Sequence, residues 1–216
     1  STPDNIIGVD DAQELIAYCA RVSNPDNQNN KDTSEKLIKY LIKHQHWSPL
    51  EMVSACLEIE TTRDIARQIL RHRSFSFQEF SQRYADPTKD GYKDNFETRD
   101  ARFQDPKNRQ NSIELSEKDR RLNEDFRMKQ ILVWRQAQDT YEWAIENGIA
   151  KEQARAVLPE GMTVSRLYMN GTLRSWVHYI DLRSANGTQK EHQDIAIACA
   201  HEIAKIFPIM TDISNV

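Results

Sequence analysis

Apolar side chains recur every three or four residues along most of this chain, and residues that interrupt regular structure are rare. Only 6 glycines and 7 prolines occur among the 216 residues. Because both residues destabilise the interior of a helix, their scarcity favours long helices. The apolar spacing predicts helices over these ranges: 11–22, 34–45, 62–72, 116–147, 172–183 and 188–206, with a short helical piece over 150–158.

Two stretches have the pattern of strands instead. Residues 52–60 alternate apolar and polar side chains, as a half-buried strand does, and residues 162–169 are a second candidate. Thr172 and Thr188 each follow an Asn-Gly pair, which predicts a turn, and each is predicted to cap the next helix. No repeat or linker divides the sequence, so we expect one α+β domain over residues 1–216.

The stretch 85–115 breaks the helical pattern, because Asp, Lys, Asn and Arg dominate it and apolar residues are few. A loop this long inside a compact domain is typical of a functional flap or of a disordered insert. We expect it to be one of these two within the single domain.

The composition excludes several classes of protein. A net charge of -4 argues against a general nucleic-acid coat, and the aromatic content argues against a disordered chain. No apolar run approaches the roughly 18 residues of a membrane-spanning helix. The first residues lack the basic start and apolar core of a secretory signal. We therefore expect a cytoplasmic protein with no membrane partner.

The spacing of the cysteines and histidines does not indicate a metal site or a disulfide. The three cysteines, Cys19, Cys56 and Cys199, are odd in number and widely spaced, which fits a reducing compartment and core packing. His44 and His46 have no acidic or cysteine ligand at metal spacing. We expect no metal site.

One segment departs from the acidic average. Residues 63–83 contain five arginines against two acidic residues. The planar arginine fork binds phosphates and carboxylates through two hydrogen bonds. Serine hydroxyls, amides and phenylalanine rings lie among these cations, which suits a phosphorylated aromatic ligand. A solvated basic face is the plain alternative. A single-stranded nucleic-acid binding module, with arginines on phosphates and rings on bases, is the other.

The residues Arg71-His72-Arg73, Ser76, Ser81 and Arg83 follow the pattern RHRxxSxxxxSxR. This segment resembles the motif of the flavin-dependent thymidylate synthases. Four further blocks resemble that family in the same order: ARVS at 20–23, HxSPLE at 46–51, ARAVLP at 154–159 and RSWVHYIDLR at 174–183. The similarity covers most of 10–84 and 150–207, and leaves the stretch 85–115 outside it.

The resemblance implies an α+β fold of long helices with a small antiparallel sheet. It also implies a homotetramer in which FAD lies at subunit interfaces and each active site is shared between chains. The implied reaction converts dUMP to dTMP, with methylenetetrahydrofolate as the carbon donor and NADPH as the reductant of the flavin. The partners are then small molecules, with no nucleic acid among them. No GxGxxG turn is present, so the expectation of FAD depends on the resemblance alone.

The family pattern assigns a role to each matching position. The implied dUMP site comprises Gln68, Arg71, Glu79, Phe80, Ser81, Gln82, Arg83, Arg155 and Arg183. Arg83 and the amides around Ser81 would hold the phosphate. Arg155 would reach the nucleotide from a neighbouring subunit. Glu79 would accept from a ribose hydroxyl or orient an arginine. The implied FAD contacts are Ser23, His46, Ser48, Arg71, His72, Arg73, Glu79, Thr172, Arg174 and His178.

Arg183 is the residue to which we assign the chief catalytic role. It ends an otherwise apolar stripe of Trp176, Tyr179 and Ile180 at helical spacing. A buried arginine without a partner is costly, and a ligand would resolve that cost. In the family this position contacts the uracil ring and favours its ionisation at N3. The resemblance also implies that no cysteine of the enzyme attacks the pyrimidine.

Overall fold

The computed structural model describes residues 11–87 and 96–212. Within these ranges seven α-helices and five strands occur. The helices are α1 (Ala12–Ala20), α2 (Ser34–Lys43), α3 (Arg63–Ile69), α4 (Arg120–Glu146), α5 (Lys151–Ala154), α6 (Leu173–Ser184) and α7 (Lys190–Ala204). The strands are β1 (Ser54–Thr62), β2 (Ser76–Glu79), β3 (Arg102–Gln104), β4 (Ser112–Glu114) and β5 (Val164–Thr172). The predicted α+β class is confirmed.

The main sheet has the strand order β1-β5-β2. Strands β1 and β5 run antiparallel: Leu173 bonds Val53 at one end, and Arg63 bonds Thr163 at the other. The alternation predicted for the first strand is also present. Val53 and Ile59 are buried, whereas Ser54 and Glu58 are exposed. Both predicted strands therefore form, although β1 and β5 each begin two residues later than expected.

Close contacts group the chain into two compact units, each built from separate stretches of sequence. Among the described residues, the first unit comprises 11–57, His72–Ser76 and 169–212. The second comprises Glu58–Arg71 and Phe77–Tyr168, without the segment 88–95. The boundaries between the two units fall inside three strands, β1, β2 and β5. The single domain over residues 1–216 stays a prediction.

In the first unit, α1 packs on α2 and α6 packs on α7. Its core includes Ile16, Ile38 and Trp176, and the indole Nε1 of Trp176 donates to the Ala55 carbonyl over 3.0 Å. The ring of Phe75 lies against Gly171, where an added Cβ would stand 2.4 Å from the ring. Gly171 lies within β5, so the turn predicted at Asn170-Gly171 is wrong.

Helix caps in the first unit agree only in part with the predictions. Thr172 caps α6, because its hydroxyl accepts from the Ser175 amide over 3.3 Å. The cap predicted at Thr188 is wrong, since α7 begins after Gln189. The sequence Thr188-x-x-Glu191 satisfies the capping pattern, but its first residue lies one position too early for the helix that forms.

In the second unit, α4 supplies Trp134, Tyr141 and Ala144 to a core that it shares with Leu158 and Met162. A capping box of Ser116 with Asp119 opens the turn before α4. The helix ends at Glu146, just before Gly148 with its φ of +76°. The long helix predicted over 116–147 is thus confirmed, with its first turn in the tighter 3₁₀ form.

The described part of the polar stretch, residues 96–115, is bound to α4. Phe96 stacks on Trp134 with a centroid distance of 4.9 Å, and the Arg99 amide donates to the Gln130 side chain over 2.8 Å. Strands β3 and β4 form a hairpin in which Phe103 faces Ile113. Residues 88–95 of the predicted insert lie outside the described residues.

Candidate active site

The second half of the RHRxxSxxxxSxR segment folds as β2 followed by a tight turn. Phe80 donates from its amide to the Arg166 carbonyl of β5 over 2.9 Å. The amides of Tyr84 and Ala85 both donate to the Ser81 carbonyl, and the Ser81 hydroxyl accepts from the Arg83 amide. This turn holds Ser81, Gln82 and Arg83 together, as the proposed phosphate site requires.

Arg83 already has a carboxylate partner in this chain. Its Nε lies 3.3 Å from Glu152 of α5, and Lys151 of the same helix donates to the Tyr84 carbonyl. Arg155 follows α5 directly and is half-buried. The second unit therefore brings the motif turn and the segment that carries Arg155 to one place.

Gln82 has an unusual environment for an amide. Its side chain belongs to a residue that is only 3% exposed, and its amide nitrogen has no hydrogen-bond partner among the described residues. An unpaired buried donor costs free energy, so a ligand oxygen would be a favourable partner.

Glu79 contacts three side chains of the second unit. The Ser165 hydroxyl donates to its Oε1 over 3.0 Å. Arg63 Nη1 and Arg67 Nη1, both of α3, lie 3.6 and 3.7 Å from its two carboxylate oxygens. The same two arginines also contact Glu160. Glu79 was predicted either to accept from a ribose hydroxyl or to orient an arginine. The contacts that the second role requires are present within the chain.

The other two nucleotide candidates of this unit lie at and beyond the end of α3. Gln68 is half-buried, and its carbonyl accepts from the Arg71 amide over 3.4 Å. Arg71 is exposed. The helix predicted over 62–72 ends earlier, at Ile69, so Arg71 lies in the turn beyond α3 and not on a helix face shared with Gln68.

In the first unit, α6 collects several predicted flavin contacts. Arg174 forms an ion pair with Glu51, and the His178 ring lies against Trp47 with a centroid distance of 4.4 Å. These contacts fasten the 46–51 turn, which carries His46 and Ser48, beside α6. The ring centroids of His46 and Tyr40 lie 6.2 Å apart. His46, Ser48, Arg174 and His178 are thus brought together.

Ser23 lines a separate cavity of about 540 Å³ in the first unit. Arg21, Lys36 and Tyr40 line the same cavity. The guanidinium of Arg21 is held by the Thr33 hydroxyl over 2.8 Å. Tyr40 therefore lies between this cavity and the turn that carries His46.

Arg183 is half-buried and has a partner within its own chain. Its Nε–H donates to Nε2 of His72 over 2.9 Å. Because this nitrogen accepts a hydrogen bond, the imidazole of His72 is neutral. Burial and, second, the charge of Arg183 lower the pKa of His72. Arg183 is therefore neither fully buried nor without a partner, so the cost of burial does not by itself require a ligand there.

Sequence reasoning missed a buried pair beside this bond. His192 of α7 is fully buried, and its Nε2 lies 3.1 Å from the Tyr179 hydroxyl. Burial, with the charges of Arg183 and His72, lowers the pKa of His192 to about 4. Burial also raises the pKa of Tyr179. The only signal was a histidine on the apolar face of a helix, a pattern that many cores share.

The comparisons with known proteins identify the family. The family model described as "Thymidylate synthase complementing protein" (Thy1) matches residues 5–209. The chain belongs to this family. It is 50% identical over 201 residues to the "Probable flavin-dependent thymidylate synthase" of Paramecium bursaria Chlorella virus 1, covering 93% of this chain and 89% of the relative.

Two other relatives agree with that assignment. The "Flavin-dependent thymidylate synthase" of Synechocystis sp. is 51% identical over 194 residues, covering 90% of this chain and 85% of the relative. A crystal structure of the UMP/dUMP methylase PolB from Streptomyces cacaoi, bound with 5-Br dUMP, superposes with a TM-score of 0.75. That structure is 26% identical and covers 93% of this chain and 89% of its own. The resemblance inferred from the motif at 71–83 is confirmed.

The first-unit residues fit the flavin that the names of the relatives imply. Arg73, His46, Ser48, Ser23 and His178 are exposed, and Arg174 and Thr172 are half-buried, so their side chains face solvent at least in part. The set consists of cations and hydrogen-bond donors, which suits an anionic diphosphate and the acceptor atoms of a flavin ring.

Two further searches concern the part of the chain that the structure describes. No group of three or more His, Cys, Asp or Glu side chains is placed to hold a metal ion there. Nor does any helix among residues 11–87 and 96–212 have both the length and the hydropathy that crossing a bilayer requires.

Proposed function

We propose that this chain catalyses the reductive methylation of dUMP to dTMP, with methylenetetrahydrofolate as the carbon donor and NADPH as the reductant of bound FAD. The relatives at 50% and 51% identity carry the name flavin-dependent thymidylate synthase, which confirms the predicted class of enzyme. The observation that carries the proposal is the RHRxxSxxxxSxR segment, whose second half folds into strand β2 and the turn that contains Arg83.

The nucleotide would be held by charge and by hydrogen bonds. Arg83 and the turn amides around Ser81 would bind the phosphate, with Gln82 supplying its unpaired amide nitrogen. Gln68, Arg71, Glu79, Phe80 and Arg155 complete the set that the family pattern assigns. The ion pair between Arg83 and Glu152 would have to break when the phosphate binds, because Glu152 contacts the same guanidinium.

Arg183 would act on the uracil ring. Its bond to His72 uses Nε and leaves both Nη groups to donate to the pyrimidine. A positive charge beside the ring favours the ionised form at N3. His72 keeps the guanidinium in a fixed orientation, so no reorganisation is needed when the nucleotide binds.

FAD, when bound, supplies the hydride chemistry that no amino-acid side chain provides. Ser23, His46, Ser48, Arg71, His72, Arg73, Glu79, Thr172, Arg174 and His178 are the residues that would hold it. Two of the three thiols are unsuited to nucleophilic attack: burial raises the pKa of Cys199 to about 12, and burial also raises the pKa of Cys19. Catalysis would therefore depend on binding and electrostatics.

We infer a homotetramer from the family resemblance, and α4 supports it. Leu122, Phe126, Leu132, Val133 and Trp143 of this helix are exposed large apolar residues. Such a face is typical of a surface that another protein chain covers. The three free cysteines support a reducing, cytoplasmic setting.

The nucleic-acid alternative loses support from the structure. Base stacking requires accessible rings, but Phe75 is packed between Gly171 and Trp176, whose ring centroid lies 4.9 Å away. Its neighbours Phe77 and Phe80 are half-buried. The acidic net charge points the same way.

An absorption experiment tests the proposed function. The purified protein, loaded with FAD, is followed anaerobically in the visible range as NADPH is added, and then dUMP with methylenetetrahydrofolate. We expect the flavin bands to bleach with NADPH and to return with the other two substrates, with dTMP as the product. A protein that cannot be loaded with FAD contradicts the proposal. Bleaching without dTMP would show that the acceptor is a different molecule.

A further inference from the structure

Two arginines and two glutamates of the second unit form a closed ring of alternating charge. Arg63 and Arg67 lie one turn apart on α3. Each uses Nη1 toward Glu79, at 3.6 and 3.7 Å, and Nε toward Glu160, at 3.3 and 3.6 Å. The four charges cancel, and every cation lies between two carboxylates.

The ring is buried on one side only. The side chains of Arg63 and Glu79 are 7% and 16% exposed, whereas those of Arg67 and Glu160 are 50% and 53% exposed. Exposed ion pairs are screened by water and contribute little, but separating a buried pair leaves an uncompensated charge. Arg63 is therefore the partner that decides where the Glu79 carboxylate lies.

Other contacts fix the buried side in place. The Arg63 amide donates to the carbonyl of Thr163, a fully buried residue, over 3.0 Å. The Ser165 hydroxyl donates to Glu79 Oε1. Ser165 is also fully buried. The backbone of α3 and the strand β5 thus hold the arginine and the carboxylate against each other.

We propose that Arg63, itself oriented by Glu160, is a positioning residue that presents the Glu79 carboxylate to the nucleotide. This assignment depends on the proposed function, because that function gives Glu79 its ligand. A carboxylate has about four lone-pair sites, so Glu79 retains acceptor capacity beside these contacts. Without Arg63 the carboxylate would turn toward the exposed Arg67, and a ligand hydroxyl would lose its fixed acceptor.

A double-mutant cycle tests the assignment through dUMP affinity. The dissociation constant is measured by calorimetry on the FAD-loaded protein for the unsubstituted chain, Arg63→Met, Glu79→Gln and the double variant. We expect Arg63→Met to weaken binding roughly tenfold, as loss of a fixed charged acceptor does. In the Glu79→Gln background the same substitution should change the constant by less than about twofold, because its effect passes through Glu79.

Matched variants separate positioning from general damage. Arg63→Lys keeps the charge but loses the planar fork that reaches two carboxylates from separate nitrogens, so its affinity for dUMP should lie between those of the unsubstituted chain and Arg63→Met. The same cycle is run with Arg63→Lys where Arg63→Met does not fold. Arg120→Met removes an arginine from an exposed pair with Glu124 and should leave dUMP binding unchanged. The fold of each variant is checked by circular dichroism.

The outcomes distinguish the two levels of the proposal. If the unsubstituted protein binds no dUMP, the proposed function is wrong and this assignment fails with it. If it binds dUMP and Arg63→Met binds equally well, only the positioning role is overturned. A full loss that persists in the Glu79→Gln background also overturns it, since Arg63 would then act independently of Glu79.

Discussion

Arg183 donates its Nε–H to Nε2 of His72, and the two residues are 111 positions apart in the sequence. The acceptor belongs to the RHR triplet, and the donor ends the apolar stripe of α6. The bond requires a neutral imidazole, and burial together with the arginine charge favours that form. The residue proposed for catalysis is therefore oriented before any ligand arrives.

Removal of this guanidinium should affect turnover far more than assembly. We expect Arg183→Ala to lower the rate of dTMP formation by about two orders of magnitude or more, because a preorganised charge next to the pyrimidine is lost. Bound FAD and the oligomeric state should be retained, as judged by absorbance and gel filtration. Asp181→Asn, on an exposed position of the same helix, serves as the control. Turnover equal to that of the unsubstituted protein would remove the catalytic assignment.

The contact between Arg83 and Glu152 predicts opposite effects for its two members. Arg83→Ala should weaken dUMP binding by roughly tenfold to a hundredfold, since the phosphate loses a charged donor. Glu152→Gln should strengthen it by about twofold to fivefold, because an exposed competitor for the guanidinium is removed. Calorimetric titration with dUMP measures both. If Arg83→Ala leaves the affinity unchanged, the phosphate is held elsewhere.

Stability should depend on pH through His192. Its pKa falls from 6.5 to about 4 on folding, so between these two pH values the residue is protonated in the unfolded chain and neutral in the folded chain. The contribution of His192 to the free energy of unfolding should therefore be constant above about pH 6.5 and decrease as the pH falls to about 4, by on the order of 3 kcal/mol. Urea denaturation at a series of pH values measures the slope.

A variant on the same helix provides the comparison. His192→Gln removes the titrating group and should flatten this part of the pH profile, whereas His201→Gln, at an exposed position of α7, should not. A slope that survives His192→Gln unchanged would assign the acid sensitivity to other groups.

Gly171 should tolerate no side chain. A methyl group there would stand 2.4 Å from Cδ1 and 2.5 Å from Cε1 of Phe75, whose ring is confined by Trp176. We expect Gly171→Ala to lower the free energy of unfolding by about 1–3 kcal/mol through overpacking. Gly161→Ala, where the nearest atoms are 3.9 Å away, should be nearly neutral. Addition of Phe75→Leu should restore part of the loss, and failure to do so would place the strain in the backbone.

Most helices could be predicted because their signals are local. The period of apolar residues placed α1, α4 and α6 within a few residues of their observed ends, and Gly148 marked the end of α4. Strand β2 and the β3–β4 hairpin were not predicted. β2 is four residues long, and the hairpin exposes Phe103 and Ile113, so neither has an apolar face that a pattern could reveal.

For the site, the sequence by itself determined which residues carry the chemistry. The fixed spacing from Arg71 to Arg83 identified the family, and through it every candidate position. The spacing of a motif along the chain is local information, so it can be recognised without knowledge of the fold.

Only the tertiary structure decided which of these residues hold one another. Arg63 and Glu160 are 97 positions apart, and Arg63 also contacts Glu79 because β2 and β5 lie side by side. Likewise, Arg183 was expected to need a ligand as its partner, but the chain supplies His72. Pairings of this kind depend on how strands and helices that are distant in the sequence pack together. The periodicity within one segment carries no information about that packing.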